Sequence, residues 1–111
     1  MVRDVSEADW RIFRKVRERA LEAFAEQVIQ EIAEICSDQT RGAHERYLEV
    51  FRLLDERDRS LATAFDHVSR SRMLEHLAAM RLLGLVAEED LANLSPETQA
   101  RVRLLGELPL E

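Results

Sequence analysis

Three histidines, one cysteine and 22 carboxylates in a chain of 111 residues make a helical metal site the first chemistry to test. Di-metal sites in helical bundles take Glu-x-x-His pairs projecting inward from facing helices. His44, His67 and His76 have no glutamate three residues before them; Glu45, Asp66 and Glu75 are their immediate neighbours instead. Adjacent side chains diverge on a helix, so the spacing predicts structural or surface roles and no metal. Cys36 stands alone, which rules out an intrachain disulfide, and at the apolar end of a helical pattern it reads as a small buried hydrophobe. Ser6, Ser37, Ser69, Ser71 and Ser95 fall where helix caps are expected. No glycine-rich phosphate loop or nucleotide fingerprint is present. The residue types predict no catalytic centre and no cofactor, hence a protein that is not an enzyme.

Phosphate recognition is the second chemistry. Arg11, Arg14, Lys15, Arg17 and Arg19 set five positive charges within nine residues, offset by Glu18, and Arg70 and Arg72 add a second small group. Fifteen of the 16 bases are arginine, whose planar fork suits ion pairs and phosphates; GC-rich, bacterial-type coding produces the same usage. The net charge of −6 excludes a uniformly basic nucleic-acid footprint. A helix-turn-helix is disfavoured, because the segment after the Met73–Leu83 pattern, AEEDLANL, is acidic where it would meet phosphate. A nucleic-acid-associated regulator using the Arg-rich first helix stands as the alternative function. A lipid-surface helix needs bases along its whole polar face, and residues 22–38 carry none. The N-terminal sequence has no signal-peptide apolar run and no stretch approaches 18 apolar residues, so a cytoplasmic protein with no membrane partner is expected.

The elements that position these residues are helical. Three glycines and two prolines leave little room for hairpins. Ser6 followed by Asp9 resembles a capping box, and Val5 with Trp10 can form a hydrophobic staple. Phe13, Val16, Ala20, Phe24, Val28, Ile32 and Ile35 then step at three or four, with Leu21, Ala25, Ile29 and Cys36 beside them. No breaker appears before Ser37-Asp38, so a first helix of about 30 residues, about 45 Å, is predicted. After the polar turn SDQTRG a second helix carries Tyr47, Phe51, Leu54, Leu61, Phe65 and Val68 on one face. It runs either through the polar segment DERDRS (residues 55–60) or breaks there, and residues 43–83 form one helix or two. A helix bearing Met73, Leu74, Leu77 and Met80, capped by Ser69 or Ser71, ends at Gly84, a left-handed C′ position with Leu85 able to touch Met80. Ser95-Pro96-Glu97 starts the last helix, which carries Val102 and Leu105 and stops near Gly106 and Pro109.

The expected fold is therefore a single all-α domain over residues 1–111. It is a helical bundle of two long antiparallel helices, a medium helix and short C-terminal helices, completed by dimerisation. The dimer is suggested by charge. Residues 11–19 sum to +4 and residues 22–38 to −5, an order opposed to the helix macrodipole, which favours acids first and bases last. An antiparallel copy of the first helix would set the basic part of each against the acidic part of the other by two-fold symmetry. Phe13, Arg14, Arg17, Phe24, Glu26, Val28, Glu31 and Ile32 are the interaction residues this predicts. The function expected is protein–protein interaction by a homodimeric regulatory adaptor or assembly subunit, with a further protein partner left open.

Overall fold

Local end signals decide most of the architecture. In a computed structural model describing residues 5–107, Ser6 Oγ accepts the Asp9 N–H at 3.1 Å. From that cap α1 runs unbroken over Glu7–Cys36, 30 residues, about 45 Å at 1.5 Å per residue. It stops where the Asp38 carboxylate takes the Thr40 N–H (3.0 Å) and hydroxyl (2.5 Å) and Arg41 Nε (3.0 Å), folding the turn on itself. The Thr40 hydroxyl and N–H and the Arg41 guanidinium together pull the Asp38 carboxyl down to about 2.

The second helix, α2, spans Ala43–Phe65 and returns along α1 as an antiparallel partner. It runs through DERDRS without a break. The polar run is a solvated face: Asp55 pairs with Arg59 one turn on (2.7 Å), while Arg57 turns inward and reaches Glu31 across the hairpin at 2.8 Å. The chain then leaves helical geometry through Asp66, which is extended, and His67, held at φ 55°, so residues 43–83 form two helices. Val68 lies beyond the end of α2.

A 3-10 turn over Arg70–Arg72 leads into α3, Met73–Leu82. Ser69 makes no side-chain cap bond there; its backbone carbonyl takes the Arg72 N–H instead. The end of α3 is a Schellman motif, with Gly84 at φ 76°, Leu85 N–H on the Met80 carbonyl (3.0 Å) and Gly84 N–H on that of Arg81 (2.9 Å). A short α4 (Glu88–Ala92) and α5 (Pro96–Glu107) complete the fold. Gly106 lies inside α5, and Pro109 falls outside the described residues. Every regular element among the described residues is helical.

The core sits at one end of the long hairpin. Phe13, Val16, Ala20, Phe24 and Val28 of α1 meet Ala64 and Phe65 of α2, Met73, Leu77 and Met80 of α3, Leu91, Leu94 and Val102. Val5 and Trp10 pack against this cluster at its edge. Each large side chain so buried contributes about 1.5–3 kcal/mol.

Asp9 ties the first element to the last. Its buried carboxylate accepts the Ser95 N–H (2.9 Å), the Ser95 hydroxyl (2.8 Å) and the Thr98 hydroxyl (2.6 Å) at the start of α5. Burial pushes this carboxyl up, but the hydrogen bonds from Thr98 and Ser95 outweigh it and leave the group below its ordinary value of 3.8. Asp9→Ala is expected to cost about 2–3 kcal/mol of unfolding free energy at pH 7, because donors at a buried helix start lose their acceptor. A carboxyl with a depressed folded-state value stabilises fully above pH 3.8 and loses that contribution as the pH falls through the folded value. Urea melts at pH 7 and pH 3 should show the gap between wild type and Asp9→Ala narrowing at the lower pH.

Candidate interaction surface

The two long helices outrun the rest of the molecule. The last fully buried residue of α1 is Val28 and the first of α2 is Ala64, so from Ile29 to Thr63 no residue is fully buried. The molecule measures 55 × 28 × 22 Å, the long dimension being that of the hairpin. Half of the hairpin thus projects beyond the layer formed by α3, α4 and α5.

The two faces of this projection differ in character. On one side Gln27, Gln30, Glu31, Glu34, Arg57 and Ser60 line a polar groove that runs to Leu82 and Leu83 of α3. Its continuation toward the tip carries Arg41, Glu49, Arg52 and Glu56, and Arg41 pairs with Glu49 there. On the other side Cys36, Ala43, Arg46, Tyr47 and Val50 line a shallow apolar recess; Cys36, expected to be buried, is exposed there, at the end of α1 far from the core. Tyr47, Phe51 and Leu54 form one stripe at spacings of four and three, and Ile29, Ile32 and Cys36 form the matching row on α1. Tyr47 is 67%, Phe51 62%, Ile29 60% and Leu54 40% exposed. These four leave on the order of 500 Å² of apolar surface in water, toward the upper end of the largest patch on an ordinary monomer.

The sequence pattern had placed Tyr47, Phe51 and Leu54 on the face shared with Leu61 and Phe65. In the structure only the later pair turns in. The row that meets α1 is Val50, Leu53, Arg57, Leu61 and Ala64, all half-buried or buried. Two apolar rows with the same helical period lie side by side on α2, and the hairpin consumes one of them.

The interaction residues expected on α1 have several fates. Phe13 (0%), Phe24 (5%) and Val28 (9%) lie in the chain's own core. Arg17 donates from Nε (3.3 Å) and Nη2 (2.7 Å) to the Phe65 carbonyl at the end of α2, its guanidinium 5.9 Å from the Phe65 ring centre. Glu31 is held by Arg57. Arg14 and Glu26 are exposed, and Ile32 is half-buried beside the open apolar face. That face therefore holds one of the eight, and the rest of it comes from α2 together with Ile29 and Cys36.

The charge order of α1 also has partners inside the chain. Glu7 and Asp9 supply acids to its first turn, and the macrodipole acts only within the first and last turns. Its last turn has no base of its own, but Arg46 of α2 donates to the Cys36 carbonyl at 2.6 Å. Arg19 pairs with Asp90, and Arg70 with Glu7 while stacking 5.3 Å from the Trp10 ring centre. Of the basic group on α1, Arg11, Arg14 and Lys15 face solvent, as does Arg19 beside its partner Asp90.

The histidines do not converge. His44 and His67 are exposed, whereas His76 is buried in α3 with Nδ1 2.9 Å from the Ala64 carbonyl. A carbonyl can only accept, so Nδ1 carries the proton and donates. His76 Nε2 has no partner among the described residues. No group of three or more His, Cys, Asp or Glu able to hold a metal occurs among the described residues. No described helix is long and apolar enough to cross a membrane.

No protein-family model, curated protein or solved structure matches the chain.

The contrast between core and open face is measurable. Phe24→Ala should lower the unfolding free energy by about 3–5 kcal/mol, the cost of a large buried side chain and the cavity it leaves. Phe51→Asp should change that of the isolated chain by no more than about 0.5 kcal/mol, as at other exposed positions. Chemical denaturation at low protein concentration compares the two.

Proposed function

We propose that this chain is a non-enzymatic interaction protein that self-associates through the open apolar face of its hairpin and serves as a regulatory adaptor or assembly subunit. The observation that carries this reading is the exposure of Ile29, Tyr47, Phe51 and Leu54 on one side of a projecting helix pair. A two-helix layer with one bare apolar side buries that side most simply against another layer of the same kind. A second copy supplies one of matching length and composition, and a two-fold interface uses the same patch on both subunits.

A nucleic-acid role for α1 gains less support. Arg17, Arg19 and Arg70 have acceptors within the chain, which reduces the basic group to Arg11, Arg14, Lys15 and Arg72. Arg72 stands 3.6 Å from Glu75.

Sedimentation velocity at micromolar concentration tests the reading. Wild type should sediment at twice the 12.9 kDa chain mass. Phe51→Asp combined with Leu54→Asp should sediment at the single-chain mass with unchanged helical circular dichroism. Leu104→Asp, at a position 60% exposed on α5, should leave the dimer intact. A monomeric wild type, or equal sensitivity to all these substitutions, contradicts it.

A further inference from the structure

The open face on α2 has a pattern of its own. His44, Tyr47, Phe51, Leu54 and Asp58 follow one another at steps of three, four, three and four, the spacing of a heptad seam. All five are exposed. His44 stacks on Tyr47 with ring centres 6.5 Å apart, which places it on the same stripe. Asp58 forms no ion pair among the described residues. The seam is thus apolar in the middle and polar at its ends, with an imidazole at one end and a carboxylate at the other.

Resting on the self-association proposed above, we infer that the partner is a second copy whose α2 lies antiparallel on this one, with the two-fold axis at Phe51. Under that operation the two ends and the centre of the pattern complement one another. Phe51 lies equidistant from His44 and Asp58, seven residues or about 10 Å from each. Reversal about Phe51 sets Phe51 against its symmetry mate and His44 against Asp58 of the other copy, with Tyr47 and Leu54 of the other copy offset by one residue, about 1.5 Å along the axis. Parallel pairing sets Asp58 on Asp58, a like-charge contact that costs stability, and His44 on His44. Ile29, Ile32 and Cys36 of α1 flank the seam.

Complete burial of this surface, about 500 Å² from each copy, gives about 1,000 Å² in all, the lower bound for a specific interface. The aromatic pair at the axis supplies affinity, and the terminal His–Asp contacts set direction and register.

α1 plays the lesser part in this interface. Its Phe13, Phe24 and Val28 are consumed by the core, and Glu31 by Arg57. The acids and bases of α1 therefore do not align the two copies; the ends of the α2 seam do.

Disulfide trapping tests the register in a Cys36→Ser background. Chains carrying His44→Cys or Asp58→Cys should each form little disulfide dimer on their own, because like positions lie about 21 Å apart along the seam. Mixed together, they should trap a His44→Cys/Asp58→Cys heterodimer in high yield. Phe51→Asp in either background should abolish trapping and weaken dimerisation on the order of a hundredfold, as expected for a central aromatic anchor. Dimers that trap 44 to 44 and 58 to 58 overturn the antiparallel register while leaving self-association standing. Dimers that trap neither mixed nor like pairs overturn the α2 seam. A monomer in sedimentation before any cysteine is introduced overturns the self-association itself.

Discussion

A helix of 30 residues is about 45 Å long, and the other described helices cover only part of it. The 23 residues of α2 shield only one stripe of α1. The remaining helices are 10, 5 and 12 residues long, enough to roof about half of the hairpin. Full burial ends at Val28 on α1 and begins again at Ala64 on α2. The rest of the structure follows from this shortfall. It has a dense core at one end, a two-helix arm at the other, and an apolar stripe on the arm that the described residues leave uncovered.

The polar contacts respect the same division. At the covered end they are long-range and hold elements together: Asp9 to Ser95 and Thr98, Arg17 to the end of α2, Arg19 to Asp90, His76 to the Ala64 carbonyl. Along the arm they are confined to the hairpin, with Arg57 on Glu31, Arg46 on the last carbonyl of α1, and Arg41 between Asp38 and Glu49. Exposed pairs of this kind contribute little individually. They fix the pairing of α1 with α2 on the polar side, which leaves the apolar side bare.

Several helix ends were legible because they are set within a few residues. Ser6, Gly84 and Ser95-Pro96 act locally, and their geometry follows from side-chain hydroxyls, a left-handed φ and a fixed ring. The all-α class followed from the same signals. Facing was less legible. Tyr47, Phe51 and Leu54 share the helical period of Leu61 and Phe65, and periodicity alone does not say which of two neighbouring rows a partner helix takes. Phe24 and Val28 show the converse, being read as surface for a second copy and found in the core. Asp9 was read as part of a capping box, while its carboxylate serves a helix 86 residues away, a pairing no local spacing encodes. The charge order of α1 looked like a device for orienting two copies. Asp90 and Arg57, each distant in sequence, take one base and one acid of it, Arg19 and Glu31.

Hydrogen–deuterium exchange as a function of protein concentration tests most directly whether the bare stripe of the arm is where this chain meets its like. Between about 0.1 and 100 µM, amides of residues 25–36 and 43–58 should gain protection, because covering the stripe suppresses opening of the arm. Amides of residues 13–24 and 73–80, already roofed within one chain, should exchange at the same rate throughout. Protection that rises equally in both regions, or only in α3–α5, would contradict the account.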